Sequence, residues 1–408
     1  MKQIITIQVG QSGNQIGNAI WNQMIDDCGE NLDQKFFRKG IPRAILVDSE
    51  ENTLDKIRGD KNFSYYDPNN FVSGKSSKCL TFASGYYGSN DLFDEIVEKV
   101  RKEQEQCDGI QAVQLVHSIT GGTGSGIGAK LVYYTSDNFF DCSQINISIY
   151  PSKYENSVIY PYNCLLGLMH LNYNYNMGFY FDNDALQQMT ENMFIYDQNY
   201  ETYNQLLAFA MDGIYKSFRH NCYSNTNFYK IQTNITPFPK LHCYTVSLAP
   251  LFSYINSPTL LQMSKEIYSK RNQTFSMSMS QGLFLAQQIM IYGDTDIFSV
   301  QQEFKQTLSS DEIQFVKWIA DPITYSICPA KQKQCNPMAF SINHHTAMGN
   351  KLNLLQQQYR TLFQKRAFLH LFLQEGLDEM ELQEAESACG DVISEYCCCN
   401  DQTDTTDE

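Results

Sequence analysis

At 408 residues, with 42 % hydrophobic and 18 % charged side chains, the chain can bury a large core and reads as two or three globular domains rather than a disordered polymer. Its net charge of -15 is concentrated at one end: from Ala367 onward there is no Lys or Arg against twelve Asp and Glu, which argues against nucleic acid as a partner. No apolar run is long enough for a membrane span and the N-terminal stretch is too short in apolar length for a signal peptide; thirteen cysteines without a Cys-x-x-Cys pair read as reduced thiols of a cytosolic protein.

Ile4 to Val9 predicts a first strand. Gly10-Gln11-Ser12-Gly13-Asn14-Gln15 turns it into a helix carrying Ile16, Ile20 and Met24. Gln11 and Ser12 are placed to meet a nucleotide, or the segment is a plain polar turn. Pro42 to Asp48 predicts a second strand with Asp48 and Glu50 at its C-terminal tip. Acids at that end of a strand in an α/β sheet face the ligand crevice and hold Mg2+ beside phosphates through waters; the alternative is a solvated loop. The helix from Asn90 to Gln106 follows, with Leu92, Phe93, Ile96, Val97 and Val100 on one face.

The chain is organised around what comes next. Ile110 to Val116 reads as a buried strand, His117-Ser-Ile-Thr-Gly121-Gly122-Thr123-Gly124-Ser125-Gly-Ile-Gly128 as a turn, and Ala129 to Tyr134 as a helix. A glycine-rich turn between strand and helix presents unpaired N–H groups to an anion and lets a phosphate approach the backbone. Ser118, Thr123 and Ser125 add hydroxyls. A P-loop needs Lys after its last glycine, and Ile127 follows Gly126. Gly124 to Ala129 fits the looser G-x-G-x-x-A dinucleotide pattern, but the next strand, Ile145 to Tyr150, ends in Pro151 without the acid that pattern needs.

Further on, Asn183 either caps a helix beginning near Asp184 or reads a ligand. The segment Tyr200 to Phe218 has a broad apolar stripe and predicts a core helix between two domains. Tyr200 and Asn204, four apart, share a face: a Tyr can stack on a purine while an Asn amide reads its edge, or both are surface. Strands Leu241 to Leu248 and Leu283 to Tyr292 alternate with helices near Pro258 to Ser269 and Ser299 to Leu308. The end is helical, Thr346 to Phe363 and Lys365 to Tyr396, broken near Gly376.

The turn Gly-Gly-Thr-Gly-Ser-Gly after His-Ser resembles the phosphate loop of tubulins. So do Gly10 to Gly17, Pro42 to Asp48, Pro161-Tyr-Asn163, Phe181 to Leu186, Thr236 to His242, and Arg366 to His370; Glu375 to Ser387 is specifically beta-like. The resemblance covers the whole chain. It implies a tubulin-type α/β fold: a Rossmann-like GTP-binding domain over 1–198, a core helix over 199–220, a second, intermediate α/β domain over 221–343, a C-terminal helical hairpin over 344–396 and an acidic tail over 397–408. It implies GTP or GDP with Mg2+ as ligands, bound by Gln11, Ser12, Glu50, Ser118, Gly121, Gly122, Thr123, Gly124, Asn183, Tyr200 and Asn204, with Glu50 and Gln11 at the metal. It implies a structural subunit of a microtubule-type polymer in the cytoplasmic cytoskeleton, paired head-to-tail with an alpha-type tubulin, with microtubule-associated proteins at the acidic tail. Alpha subunits carry a carboxylate that activates water at the neighbour's GTP; the matching residue here is Lys230, so no catalytic residue is expected in this chain, and hydrolysis of its own GTP requires an alpha-type subunit in trans.

The chain also departs from the family. The loop Lys75 to Thr81 has lost the asparagines that touch the terminal phosphate, leaving Lys78 as a point charge on phosphate or in solvent, which implies poor discrimination between GTP and GDP. Asn156 stands where an Asp often meets the ribose. Asp26 to Ile41 and Phe252 to Ser257 are shorter than the family pattern, by roughly twenty and seven residues, which implies weakened lateral assembly. A rival reading is a tubulin-like regulator that binds nucleotide or caps alpha subunits without forming ordinary microtubules; a third, a free-standing GTPase, lacks a general base. The three adjacent cysteines Cys397 to Cys399 show no lipidation motif.

Overall fold

The computed structural model describes residues 2–401 except 30–31, 75–78, 154, 194, 196, 221, 224–225, 252–257, 309–312 and 331–335. Lys75 to Lys78, the loop Phe252 to Ser257 and the end of the acidic tail therefore lie outside the described residues. By its contacts the chain forms two units: residues 1–178 with 352–391, and residues 179–351 with 392–408.

The first unit is built on parallel strands in the order Ser143–Tyr150, Ile110–Ser118, Gln3–Val9, Ala44–Asp48, Phe71–Ser73. Every residue of Gln3–Val9 is buried, as expected of a central strand covered on both faces. The register sets Ile7 against Ile45 on one side and Leu115 on the other. Helix Gly10–Cys28 buries Ile16, Ile20, Trp21 and Met24. It comes so close to the sheet that a Cβ on Gly13 would overlap the Val116 carbonyl.

The short connection after this helix is a hairpin. Phe37–Arg38 pairs antiparallel with Ile41–Pro42, and Lys39 and Gly40 between them both take positive φ, 51° and 86°. Two left-handed residues in succession make the type I′ turn that closes two-residue loops. Trp21 packs edge-on against Phe36 and Phe37, with centroids 6.5 and 5.5 Å apart. Buried Glu103 holds Arg43 at 3.5 Å and Arg38 at 3.8 Å, and Arg38 also reaches Asp67 at 3.1 Å.

The C-terminal helical residues 352–391 complete this unit. The chain breaks between helices Leu369–Leu373 and Glu379–Asp401, where Gly376 takes a φ of 100°. Tyr162 Oη donates to the Ala367 carbonyl at 3.0 Å, Tyr359 Oη to the Leu382 carbonyl at 2.7 Å, and Tyr87 Oη to the Glu381 carboxylate at 2.6 Å.

Strand Met177–Asp182 carries the chain into the second unit. There Ile323–Cys328 pairs parallel with Phe284–Tyr292, which pairs antiparallel with Met338–His345, and that strand antiparallel with Cys243–Ala249. Helix Tyr200–Arg219 belongs to this unit. Gly213 sits against the Phe340 ring with no room for a Cβ, Tyr292 Oη donates to the Gly213 carbonyl, and Asp212 and Arg219 form a buried ion pair. Contacts thus group the long helix and residues 179–198 with the second unit and divide the C-terminal helices between the two, where the sequence reading separates a joining helix and a helical hairpin. The reason is burial: this helix is covered along most of its length and has little solvent face.

Gly13→Ala should shift the urea midpoint down, because the clash is backbone on backbone and overpacking of this kind costs about 1–3 kcal/mol. Gly109→Ala, whose Cβ would meet only the flexible Lys2 side chain at 3.9 Å, is the control and should stay near the parent. Equal midpoints for the two variants would refute the packing argument.

Candidate nucleotide-binding site

In a parallel sheet all strand C-termini emerge at one edge, so the loops after Val9, Asp48, Ser73 and Ser118 are neighbours by construction. Gly10 turns at a φ of 76° directly into its helix, and a Cβ there would lie 3.6 Å from Gly124 N and from Thr123 Cβ. The Asn14 amide donates to the Gly10 carbonyl at 2.9 Å and to Val47 at 2.7 Å, tying the first loop to the second strand. Ser49 Oγ and Thr123 Oγ1 are 2.8 Å apart, which joins the carboxylate loop to the glycine turn. A Cβ on Gly74 would overlap the Ser49 carbonyl.

After Ser118 the chain passes through Gly121 and Gly122 and winds one wide, π-helical turn over Thr123–Ile127 before the α-helix Gly128–Asn138. Such turns recur at functional sites. Three glycines are required by close approach. A Cβ on Gly122 would overlap the Thr81 and Cys79 carbonyls, one on Gly124 the Ser118 carbonyl, and one on Gly126 the Phe82 carbonyl. Gly121 differs: it is exposed, with nothing within 4 Å of its Cβ position. Ser125 Oγ donates to the Gly121 carbonyl at 2.7 Å, and the Ser118 and Thr120 hydroxyls are 2.9 Å apart.

Two residues with no role assigned from sequence lock this turn. Asn163, buried in helix Tyr160–Asn174, donates to the Leu80 and Thr120 carbonyls at 3.1 and 3.0 Å and accepts the Phe82 N–H at 2.7 Å. His117 Nδ1 lies 2.7 Å from the Gly124 carbonyl, so the ring donates there, and its Nε2 contacts Asn146 and Ser148. Burial pushes its pKa down to about 4, which keeps the ring neutral and makes it a strut. A signal for Asn163 existed: it is an amide among the buried apolar residues of its helix. His117 gave no such signal.

Against this locked frame, some groups are left open. Gln11 is exposed and Ser12 half-buried, and neither makes a hydrogen bond among the described residues. With the exposed Gly121 they form an edge suited to phosphate oxygens at the start of the wide turn, inside which the Ser125 N–H is already accepted by the Gly121 carbonyl at 3.0 Å. Buried Asp48 and half-buried Glu50 stand beside it. No cluster of three or more metal-ligating side chains exists among the described residues. A cation here would take most of its ligands from phosphate and water, which fits Mg2+, an ion that keeps several waters.

In the second unit Asn183 is not the helix cap. Asp182 is: its Oδ1 accepts the Asp184 N–H at 2.9 Å. Asn183 is the first helical residue, half-buried, with no hydrogen bond among the described residues. Helix Tyr200–Arg219 is likewise capped by its predecessor, Asn199, which accepts the Thr202 N–H at 2.9 Å. Tyr200 is 64 % exposed and sets its ring edge-on to Tyr203, while the half-buried Asn204 amide is unpartnered among the described residues. Lys230 is exposed in the first turn of helix Phe228–Ile235, and its N–H is accepted by the cap residue Asn227 at 2.8 Å.

A parallel sheet with a locked glycine turn, open donors at its C-terminal edge and carboxylates beside it defines a phosphate-binding α/β nucleotide domain. Residues 3–191 match the GTPase domain of the Tubulin/FtsZ family and residues 239–357 the tubulin C-terminal domain. The chain is 31 % identical to the tubulin beta-2 chain of Emericella nidulans and 32 % to the tubulin beta chain of Candida albicans, in each case over 97 % of this chain and 94 % of the relative. It is 30 % identical to the tubulin beta chain of Saccharomyces cerevisiae, over 97 % of this chain and 92 % of that one. The chain belongs to the tubulin family, as a divergent beta-tubulin-like member. It is a GTP-binding subunit of the cytoplasmic cytoskeleton, with GTP or GDP and Mg2+ as its ligands.

Two tests follow from the geometry. Gly122→Ala forces apart backbones that Asn163 holds, so GTP affinity should fall by tenfold or more, about 1.4 kcal/mol, with the circular dichroism unchanged; filter binding reads it. Burial raises the Asp48 pKa to about 6, against hydrogen bonds from Glu50, Thr53 and Ser49. The folded chain therefore favours protonated Asp48, and the stability this gives is full at low pH and lost as pH rises through about 6. Asp48→Asn should stabilise the nucleotide-free protein above pH 6, by a margin that shrinks toward pH 4. Urea midpoints showing a pH-independent difference would contradict it.

Proposed function

We propose that this chain binds GTP with Gln11, Ser12, Ser118 and Gly121 to Gly124 on the phosphates, Glu50 and Gln11 on Mg2+, and Asn183, Tyr200 and Asn204 on the guanine, and that it pairs head-to-tail with an alpha-type tubulin. The observation that carries the reading is the contrast between locked and open groups. Asn163 and His117 are consumed by the frame, while the side chains of Gln11, Ser12, Asn183 and Asn204 make no hydrogen bond among the described residues. Amides that offer both donor and acceptor suit the guanine edge.

The partner reading is supported by the surface around Lys230. Tyr229 and Phe298 are each 70 % exposed, and a cleft of about 210 Å³ lies between Lys230, Thr226, Asn234, Ile297 and Gln301. Exposed apolar residues grouped with polar ones mark a protein-docking surface. The acidic tail offers a second, electrostatic surface to microtubule-associated proteins. An ammonium at Lys230 has no lone pair with which to take a proton from water, so the chain supplies no base for its neighbour's GTP. Its own GTP turns over when an alpha-type carboxylate docks on it. The tight hairpin at Phe37–Pro42 replaces a longer lateral loop and favours single protofilaments, or incorporation as a minority subunit, over closed tubes.

Purified chain mixed with alpha-tubulin and labelled GTP, followed by pelleting, turnover and electron microscopy, tests the proposal. Expected are longitudinal polymers with GTP retained at the alpha site, and turnover at that site on introducing Lys230→Glu. Unchanged alpha-site turnover in Lys230→Glu would sink the Lys230 assignment. Closed microtubules with this chain at every beta position would sink the lateral argument, and failure to polymerise with alpha would favour the regulator.

A further inference from the structure

Two cysteines that the nucleotide chemistry does not use meet in the second unit. Cys222 lies three residues beyond helix Tyr200–Arg219, and Cys328 ends the edge strand Ile323–Cys328. The Tyr223 N–H donates to the Ile327 carbonyl at 3.0 Å, so the two backbones are hydrogen-bonded one residue from each thiol. Four residues further along, Thr226 Oγ1 and Ser326 Oγ, 2.7 Å apart, join the same two segments again. The Cys222 S–H donates to the Ser217 carbonyl at 3.5 Å and lies within reach of Cys328 Sγ, and buried Tyr292, paired in register with Cys328, is close to both thiols. Lys216, buried on the long helix, directs its positive charge at Cys328, while Asp212 and Arg219 are the charged pair near Tyr292.

This environment is unlike that of the other buried thiols. Burial pushes Cys243 up to about 11 and Cys164 well above the ordinary range. Cys328 goes the other way, drawn down to about 7 against its burial, chiefly by Cys222, then by the Ala330 backbone, with a smaller contribution from Lys216. Thiolate character is what makes a cysteine reactive. Cys222 is half-buried and can be reached from solvent, whereas Cys328 is buried behind it.

We infer that Cys222 and Cys328 form a redox-active dithiol which a peroxide closes to a disulfide. The Cys222 sulfur attacks one oxygen of hydrogen peroxide; the O–O bond breaks, the departing oxygen leaves as water with the Cys222 proton, and Cys222 becomes a sulfenic acid. The Cys328 thiolate attacks that sulfur, the S–S bond forms, the S–O bond breaks, and the second hydroxide takes a proton from solvent. Two electrons pass from the dithiol to one peroxide; one proton comes from Cys222 and the other from solvent, replacing the one Cys328 gave up on ionising, and two waters form. Closure ties the segment that leads into the Lys230 helix to the edge strand. The inference stands on this pair alone and is independent of the residue roles assigned to GTP.

The full chain, reduced and then titrated with hydrogen peroxide, is alkylated and mapped by peptide mass spectrometry. A peptide pair linking Cys222 to Cys328, lighter by two hydrogens, should appear before Cys164 or Cys243 changes, and should vanish with dithiothreitol. In Cys328→Ser the link is lost, and dimedone should trap several-fold more sulfenic acid at Cys222 than in the parent. Cys222→Ser, at a half-exposed position, serves as the second variant in case the buried substitution does not fold, and it too must abolish the link. Peroxide that oxidises the exposed Cys397 and Cys398 while both Cys222 and Cys328 remain alkylatable would overturn the inference. So would equal dimedone trapping at Cys222 in the parent and in a folded Cys328→Ser.

Discussion

The phosphate-binding edge depends on backbone meeting backbone at Gly122, Gly124 and Gly126. At each of these positions a carbonyl, from Thr81, Ser118 or Phe82, occupies the space a side chain would need. Such packing supplies no specificity by itself, since carbonyls repel one another unless donors are placed between them. Asn163 provides those donors: two N–H bonds to carbonyls and one accepted N–H put the start of helix Phe82–Tyr87 and the approach to the glycine turn under a single buried amide. His117 does the same one turn further on. Because the buried partners are fully spent, the groups that remain open, Gly121, Gln11 and Ser12, can only be satisfied by water or by a ligand.

Charge follows the same division. The buried ionisable groups of the first unit are paired or neutral. Glu103 is held by two arginines, His117 is uncharged, and Asp48 is pushed toward its protonated form. Asp48 is the one whose charge burial disfavours, and it stands at the C-terminal tip of its strand, on the edge where the glycine turn lies. A carboxylate whose charged form is disfavoured without a ligand marks a place where ligand charge is expected.

The sequence carried the fold wherever local pattern and tertiary role agree. The strands Gln3–Val9 and Ile110–Ser118, the glycine turn and the helix Gly10–Cys28 follow from apolar runs and breakers. Strand Met338–His345 does not. It is buried on both faces yet contains Ser341, Asn343, His344 and His345, and the Asn343 and His344 side chains bond to neighbours distant in sequence, Ser247 and Ile235, so no alternation announces it. The same limit hid Asn14, Ser49 and His117 as struts, because their partners lie far along the chain. Asn183 shows the converse. Capping and ligand reading are indistinguishable in sequence, and the geometry of one neighbouring carboxylate, Asp182, settles the cap.

Where the chain departs from its relatives is informative for the same reason. The hairpin Phe37–Pro42 closes a shortened connection with a turn that needs only two residues, and its aromatic side packs onto Trp21 while Arg38 and Arg43 bury their charge against Glu103. The two-residue turn therefore leaves the core beneath it fully packed. The glycine turn allows no comparable economy, because each of its close contacts is a backbone atom that no substitution elsewhere can shorten. A solvated turn and a packed backbone thus differ in how much change each tolerates, and the difference is physical rather than a matter of residue type.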